Sequence, residues 1–418
     1  MKTFYLTTFL VLFSVFANGQ LIDDSISMGP QYKSQVFYSL ENGEVAKVDN
    51  NNWDLGFSVT GRGAAGSAIL INESNATLWS CPCDTSKWST FDTTGYSTWE
   101  RLLNSDTSWT NGAFNRYRGK KGLFDMGWGI LNPANNYWTL GDSLYLIKLS
   151  NDSLKKLWIV SLKSGKWEYK YANLDGSNEQ VFTLDKANYK NRSFVYHSMI
   201  TNQKINREPD IDSWDITFTK HLDYLNPPGL YQSVTSVFSH RNAVVDKKVE
   251  VDYAAALKAE PQNTSNNIST IGRSWKKYNS STGWTVSDNI AYFIDNKDSS
   301  GYYRLIFTDF EGMGTGKTRF VKEKIVVSSI NETEGSLRWA VYPNPAYDNI
   351  TVLYESTIDE HGTIEVIDLA GNRVLVESIE VSNGFTQKGI SVAEFKSGVY
   401  VLRIQVGHRV DIQKLVVR

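Results

Sequence analysis

Histidine and methionine side chains in the central part of the chain could bind a metal. His240 shares a face of its expected strand with apolar residues, and His197 shares one with Met199, whereas His221 falls on a polar face and is expected to be solvated. Imidazole and thioether groups on an apolar floor are the usual axial ligands of haem iron. We therefore regard His197, His240 and Met199 as candidate ligand-binding residues, beside the more frequent role of a lone histidine as a structural residue.

Residue patterns typical of enzymes are missing from the sequence. No Gly-x-Ser-x-Gly or His-Glu-x-x-His motif occurs, and the paired acids Asp210 and Asp212 are typical of surface loops. The two cysteines, Cys81 and Cys83, have no further ligands nearby for a metal site and indicate a local loop feature. We expect a binding protein without catalytic residues and without a site for a metal ion other than haem iron.

The elements that hold these residues are expected to be β-strands. Aromatic residues make up 13% of the chain, with 13 Trp and 22 Tyr, and such side chains pair well across strands. Apolar and polar residues alternate with a period of two, and helical spacing is rare. This pattern predicts an all-β protein. The net charge of −2 provides no basic field for a polyanion, so we expect no nucleic-acid partner.

The first 19 residues have the pattern of a signal peptide. Lys2 precedes an apolar run from Phe4 to Phe16, and the small residues Ala17 and Gly19 occupy the −3 and −1 positions of the expected cleavage site. No later segment is long and apolar enough to cross a membrane as a helix. We expect residues 1–19 to be removed, and the exported chain to pass through the periplasm without a transmembrane segment.

The C-terminal residues 336–418 form a separate pattern. They contain short strands at close intervals, separated by turn residues, which is the spacing of a small Ig-like β-sandwich. Their motifs resemble the type A sorting domain of the type IX secretion system, carried by Tyr342, Pro343, Asn344, Pro345, Gly398, Tyr400 and Lys414. The resemblance implies recognition by the type IX secretion machinery and a final location on the outer-membrane surface or outside the cell.

Residues 20–330 remain for the working domain, and they contain a weak internal duplication. Trp53-Asp54-Leu55-Gly56-Phe57 and Trp214-Asp215-Ile216-Thr217-Phe218 are both expected strands that open with Trp-Asp, and each follows an earlier strand, at residues 36–40 or 194–199. Residues 80–136 are rich in Trp, Gly, Ser and Asn without a regular period. They indicate a loop-rich insertion.

The Trp-Asp strands resemble the HmuY-like haemophore family of Bacteroidetes. Expected strands at residues 290–294 and 301–307, followed by a hairpin near 316–320, fit the same family pattern. The resemblance implies a large β-rich domain with few helices that captures haem or another porphyrin at the cell surface. The alternative is a surface adhesin or glycan-binding protein in which the Trp-rich residues 79–138 stack on sugar rings. An enzyme is the third hypothesis.

Overall fold

The protein consists of two compact units, residues 1–328 and 329–418. The computed structural model describes residues 20–418 except 62, 226–229, 296–300, 327–337, 357–359, 370, 382–383 and 407–408. The expected signal peptide at residues 1–19 lies outside the described residues. Both units are almost entirely β-structure, which confirms the all-β prediction.

Antiparallel strands build the N-terminal unit. The strands of its first half are β1 (Ile22–Ser27), β2 (Ser34–Ser39), β3 (Gly43–Asp49), β4 (Leu55–Ser58), β5 (Ile69–Ile71), β6 (Thr77–Ser80), β7 (Arg101–Leu102), β8 (Gly129–Asn132), β9 (Trp138–Gly141), β10 (Leu144–Lys148), β11 (Leu154–Lys163) and β12 (Lys166–Asn173). The strands of its second half are β13 (Gln180–Asp185), β14 (Phe194–Ser198), β15 (Gln203–Ile205), β16 (Ile216–Leu225), β17 (Leu230–Ser239), β18 (Val245–Val249), β19 (Lys276–Asn279), β20 (Gly283–Val286), β21 (Ile290–Asp295), β22 (Gly301–Phe310) and β23 (Lys317–Val326). Single-turn helices are α1 (Gly63–Gly66) and α2 (Tyr253–Ala256).

Four sheets of this unit combine strands from both halves. Two meander sheets have the orders β13-β12-β11-β10-β6-β7 and β1-β23-β22-β21-β18, and a hairpin of β8 and β9 attaches to β11 of the first. Two four-stranded sheets, which we call shared sheet A and shared sheet B, have the orders β15-β14-β4-β5 and β17-β16-β2-β3. Each half therefore supplies two neighbouring strands to each shared sheet. The two halves are the two repeats of the duplication, and they are interlocked through these sheets.

The two halves exchange equivalent strands with each other. Strand β1 pairs with β23 and strand β13 with β12, so the first strand of each half forms the edge of a meander sheet. Strand β2 pairs with β16, and strand β4 pairs with β14, at the centres of the shared sheets. Neither half can complete a shared sheet without the other.

The Trp-Asp motifs make the same hydrogen bonds in both repeats. A carboxylate oxygen of Asp54 accepts from the backbone N–H of Met199 at 2.7 Å, and one of Asp215 accepts from the backbone N–H of Leu40 at 2.7 Å. In each case the Asp immediately precedes a central strand of one repeat, and its partner immediately follows the neighbouring strand of the other. Both carboxylates thereby satisfy an N–H just beyond the end of the ladder, which would otherwise be costly to bury.

The tryptophans of the two motifs make equivalent packing contacts. Trp53 makes an edge-to-face contact with Tyr196, with ring centroids 4.7 Å apart, and Trp214 makes the same kind of contact with Phe37 at 5.1 Å. Each contact again joins one repeat to the other. We call the four residues Trp53, Asp54, Trp214 and Asp215 the Trp-Asp clamp.

The hydrophobic cores around the two meander sheets also contain residues from both halves. The core around the first meander sheet, with the fully buried Trp128 and Trp167, includes Val195 from the second half. The core around the second meander sheet includes Ile26 and Val36 from the first half. Residues 80–136, which the sequence analysis treats as an insertion, contain short 3-10 turns, strand β7 and strand β8.

The C-terminal unit consists of two facing sheets. Their orders are β24-β25-β28 and β27-β26-β29-β30. The strands are β24 (Arg338–Tyr342), β25 (Asn349–Ser356), β26 (Glu360–Ile367), β27 (Arg373–Val381), β28 (Gly384–Ser391), β29 (Gly398–Val406) and β30 (Arg409–Val417). Inward side chains of both sheets, such as Val352, Ile364 and Leu402, form a common core. This is a small β-sandwich.

We predict that the clamp carboxylates contribute strongly to stability. Asp54→Ala should lower the free energy of unfolding by about 2–3 kcal/mol, because the N–H of Met199 loses its partner in a buried site. Asp54→Asn keeps one acceptor oxygen and should lose only about half as much. Guanidinium unfolding followed by tryptophan fluorescence measures both variants. Equal losses for Ala and Asn, or no loss for Ala, would contradict the assigned role.

Candidate functional site

A cleft lies between side chains of the two shared sheets. Tyr196 of β14 and Leu70 of β5 line it from shared sheet A, and Gln35 of β2 and Phe238 of β17 line it from shared sheet B. Its free volume of about 70 Å³ holds a few water molecules or one end of a small ligand. Ordinary ligand pockets are several-fold larger, at about 300 Å³ or more.

The duplication provides an internal comparison for this cleft. At the equivalent place in the other repeat, beside Trp214 and Phe37, the free volume is only about 10 Å³. The side chains of Arg241 and Glu208 line that smaller space. The repeats have therefore diverged, and the space beside Trp53 is the larger of the two.

Aromatic rings form one part of the cleft wall. Trp109, from the Trp-rich insertion, lies 5.8 Å from the ring of Phe238 and donates its indole N–H to the carbonyl of Ser239 at 2.9 Å. His221 packs on the same Phe238, with ring centroids 5.1 Å apart. The insertion thus closes over shared sheet B and leaves His221 half-buried, although its strand face is otherwise polar.

The half-buried carboxyl group of Glu73 forms the polar part of the wall. Glu73 follows strand β5 and accepts hydrogen bonds from the backbone N–H of Asn104 at 2.7 Å and of Leu222 at 2.9 Å. Burial raises the pKa of Glu73 to about 7, against the opposing effect of these two bonds. The Asn104 side chain is fixed by hydrogen bonds to the backbone of Ile71. Glu73 therefore holds the insertion and both shared sheets together at the cleft.

Two buried polar atoms, which belong to residues that line the cleft, have no hydrogen-bond partner among the described residues. They are the indole nitrogen of Trp53 and the Nδ1 atom of His221. Buried donors and acceptors are nearly always satisfied in folded proteins, by protein, water or a ligand. Burial also lowers the pKa of His221 to about 4, so its ring is neutral at physiological pH. The cleft therefore has free hydrogen-bonding capacity beside aromatic walls.

His197 lies in a different place, fully buried between aromatic rings. The hydroxyl groups of Tyr169 and Tyr171 lie 3.1 Å from its Nδ1 and Nε2 atoms. Because Tyr171 donates its own proton to Asn202, it must accept from Nε2–H, and Nδ1 then accepts from Tyr169. Burial lowers the pKa of His197 to about 4. Both ring nitrogens are thus engaged within the core.

His240 and Met199 are also structural neighbours of the Trp-Asp clamp. The ring of His240 makes an edge-to-face contact with Trp214 at 4.7 Å, and its backbone N–H donates to the carbonyl of Asp215 at 2.8 Å. Met199 is buried in the core of the first half. The structure places His197 and Met199 with shared sheet A and His240 with shared sheet B, and none of the three lines the cleft.

The other tryptophans of the Trp-rich stretch largely cover the first meander sheet. Trp79, Trp88 and Trp99 are half-buried and pack around Leu144 and Leu146, together with Cys81. Cys81 and Cys83 form a disulfide in this layer. These three rings cover one face of the sheet, whereas Trp109, from the same stretch, lines the cleft.

Sequence reasoning missed most of the cleft residues. It included Trp109 within the Trp-rich stretch but did not select Trp53, Glu73 or Asn104, and it placed His221 in solvent. The available signal was the Asn72-Glu73 pair immediately after a short, fully apolar strand. Acids at strand ends are common on surfaces, and only the packing of the insertion buries this one.

The sorting motif of the C-terminal unit attaches to the last strand. Asn344 donates from its side-chain amide to the carbonyl of Lys414 at 2.6 Å and accepts from the N–H of Val416 at 2.9 Å. Pro343 and Pro345, on either side, follow cis peptide bonds. Tyr342 is exposed, and the hydroxyl of Tyr400, two residues after Gly398, donates to the carbonyl of Lys396. The motif residues at both ends of the unit thus meet along β30.

Residues 340–418 match the family model of the secretion system C-terminal sorting domain. The C-terminal unit is therefore a type IX secretion sorting domain. The sorting domain places the protein among cargo exported to the cell surface or the extracellular space. No curated protein matches the chain.

Solved structures add little to this assignment. Dimeric latent PorU from Porphyromonas gingivalis is 12% identical, with 66% of this chain and 31% of PorU covered and a TM-score of 0.18. The BSP domain of a biofilm associated protein is 10% identical, with 92% and 66% covered and a TM-score of 0.16. The chain therefore spans about a third of PorU and just under two thirds of the BSP chain, and these low scores carry no structural argument.

The described residues were compared with the requirements for a membrane-spanning helix and for a metal site. Within them, no helix has the length and apolar character needed to span a bilayer. They likewise contain no cluster of three or more His, Cys, Asp or Glu side chains that could hold a metal ion.

We predict that buried His197 makes the N-terminal unit sensitive to acid. Its pKa is about 4 in the folded chain and about 6.5 in the unfolded chain, so its contribution is complete above about pH 6.5 and is lost as pH falls through about 4. The full loss corresponds to roughly 3 kcal/mol. In His197→Gln, urea unfolding should show a shallower decrease in stability from about pH 7 to about pH 4. An unchanged decrease would show that His197 does not titrate on unfolding.

Proposed function

We propose that the N-terminal unit is an extracellular glycan-binding module, and that the cleft between the shared sheets receives one end of the glycan. The observation that carries the proposal is the pair of buried, unpartnered polar atoms, the indole nitrogen of Trp53 and Nδ1 of His221, beside the aromatic cleft wall. Export to the cell surface by the sorting domain supports such a role. The proposed role is binding without catalysis.

The chemistry of the cleft suits a hydroxyl-bearing ring. Apolar C–H faces of a sugar pack on aromatic side chains such as Trp109 and Phe238, while its hydroxyl groups both donate and accept. The Trp53 indole can donate only, and the neutral His221 ring offers a nitrogen at the same cleft. The small volume limits entry to the edge of one ring, with the rest of the glycan outside the cleft.

The full chain should bind at least one neutral oligosaccharide on a glycan array. In titration calorimetry with that oligosaccharide, His221→Phe should weaken binding by about five- to tenfold, because it removes the Nδ1 atom and keeps a ring against Phe238. Trp138→Ala is the matched control, since Trp138 belongs to the same Trp-rich stretch and does not line the cleft. An array without binding, or equal affinities for His221→Phe and the wild type, would refute the proposal.

Haem capture is the second candidate, and it rests on the resemblance of the Trp-Asp strands to HmuY-like haemophores. The position of His221 on the ring of Phe238 is the arrangement that favours it. The remaining geometry fits poorly: the cleft is far smaller than a porphyrin, and His197, His240 and Met199 do not line it. A Soret shift on adding micromolar hemin to the full chain, lost in His221→Phe, would favour haem over a glycan.

A further inference from the structure

The hydrogen-bonding groups that the cleft wall leaves free restrict the chemistry of its ligand. In the part of the chain that the structure describes, the indole nitrogen of Trp53 and Nδ1 of His221 have no partner. Trp53 is only 8% exposed, so its N–H has little access to bulk water. A donor buried in this way is costly unless a ligand or an ordered water accepts from it.

The amide side chains in the wall are already satisfied. Gln35 donates to the hydroxyl of Thr217 at 3.1 Å and accepts from Arg207 at 2.7 Å. The side-chain nitrogen of Asn72 donates to two backbone carbonyls, at 2.7 and 2.9 Å. Asn104 bonds backbone atoms of strand β5. The indole N–H and the imidazole nitrogen therefore remain as the buried groups of the described cleft wall that a ligand can engage.

The two free groups come from opposite walls of the cleft. Trp53 lies directly before β4 and packs on Tyr196 of shared sheet A, with ring centroids 4.7 Å apart. His221 belongs to β16 of shared sheet B and packs on Phe238. The indole can only donate, whereas the neutral imidazole with its proton on Nε2 accepts at Nδ1. A ligand group that bridges the walls must accept on one side and donate on the other.

A trans secondary amide has this arrangement of groups. Because the amide is planar and trans, its carbonyl oxygen and its N–H point in opposite directions. A methyl group on the carbonyl carbon also suits the apolar side chains of the wall, which include Leu70, Phe238 and Ile268. A hydroxyl group alone would leave these apolar side chains against water.

The size of the cleft restricts the amide to a terminal group. The free volume of about 70 Å³ admits a group the size of a few water molecules. An acetamido group consists of a methyl, a carbonyl and an N–H, and is of this size. A peptide segment is larger, because its chain continues on both sides of each amide. The cleft therefore fits an N-acetyl group that projects from a larger molecule.

From these observations we propose that the cleft binds the acetamido group of an N-acetylhexosamine. This inference rests on the proposed glycan-binding function and names the class of sugar that the cleft selects. The carbonyl oxygen accepts from the indole N–H of Trp53, the amide N–H donates to Nδ1 of His221, and the methyl group packs on the apolar wall. The sugar ring and the rest of the glycan stay outside the cleft.

Titration calorimetry of the full chain with matched sugar pairs tests the inference. Triacetylchitotriose and cellotriose share one linkage and differ by their acetamido groups, and N-acetylgalactosamine and galactose form a second pair. In at least one pair the acetylated sugar should bind about tenfold or more tightly. Trp53→Phe keeps a ring against Tyr196 and removes the donor, so it should reduce this preference about five- to tenfold. The comparison within each pair uses the wild type and does not depend on the folding of a variant.

Trp214→Phe is the matched control, because Trp214 is the equivalent residue of the other repeat, where the free volume is only about 10 Å³. It should keep the preference of the wild type, and near-ultraviolet circular dichroism shows whether both variants are folded. Equal affinities within both pairs, or an equal loss of preference in Trp214→Phe, would overturn the inference. So would an N-acetylated dipeptide that binds as tightly as the acetylated sugars, which identifies a peptide site.

A glycan array separates this inference from the proposed function. The oligosaccharides that bind the full chain should carry an N-acetylhexosamine. Binding only to oligosaccharides without acetamido groups would overturn the inference and leave the glycan-binding function standing. An array without any binding would remove both.

Discussion

The reciprocal Trp-Asp clamp is the constraint on which the N-terminal unit depends. Asp54 bonds the backbone of Met199 in the second repeat, and Asp215 bonds that of Leu40 in the first. Since the central strands of both shared sheets come one from each repeat, the clamp fixes their register at two equivalent places. A one-residue slip would turn every buried side chain of a strand outwards, so this register must be held firmly.

The duplication also explains why His197 and His240, two of the candidate ligands, lie where they do. The backbone N–H of His240 donates to the backbone carbonyl of Asp215, and in the other repeat the N–H of Asn72 donates to the carbonyl of Asp54. Likewise, the backbone N–H of Asp54 donates to the carbonyl of His197, and the N–H of Asp215 donates to the carbonyl of Tyr38. The two histidines therefore occupy positions at which the other repeat has Asn or Tyr. Divergence between the repeats has closed one inter-repeat space and left the other open as the cleft.

Much of this could be predicted from the sequence. Period-two alternation indicated strands, the Trp-Asp pairs indicated a duplication, and the motif at Tyr342 to Pro345 indicated the sorting domain. The exchange of strands could not be predicted, because alternation determines which face of a strand is buried and not which strand lies beside it. The cleft was missed for the same reason, since Glu73 and His221 become half-buried only when the aperiodic insertion packs over them.

The two repeats complete each other's sheets, and separate expression of the halves tests this dependence most directly. Residues 20–176 and 177–328 divide the unit at the turn between β12 and β13. Each half alone should lack cooperative unfolding and native near-ultraviolet circular dichroism, and the two halves mixed should form a one-to-one complex that has both. A half that folds cooperatively by itself, with native dichroism and no gain from its partner, would contradict the interlocked fold.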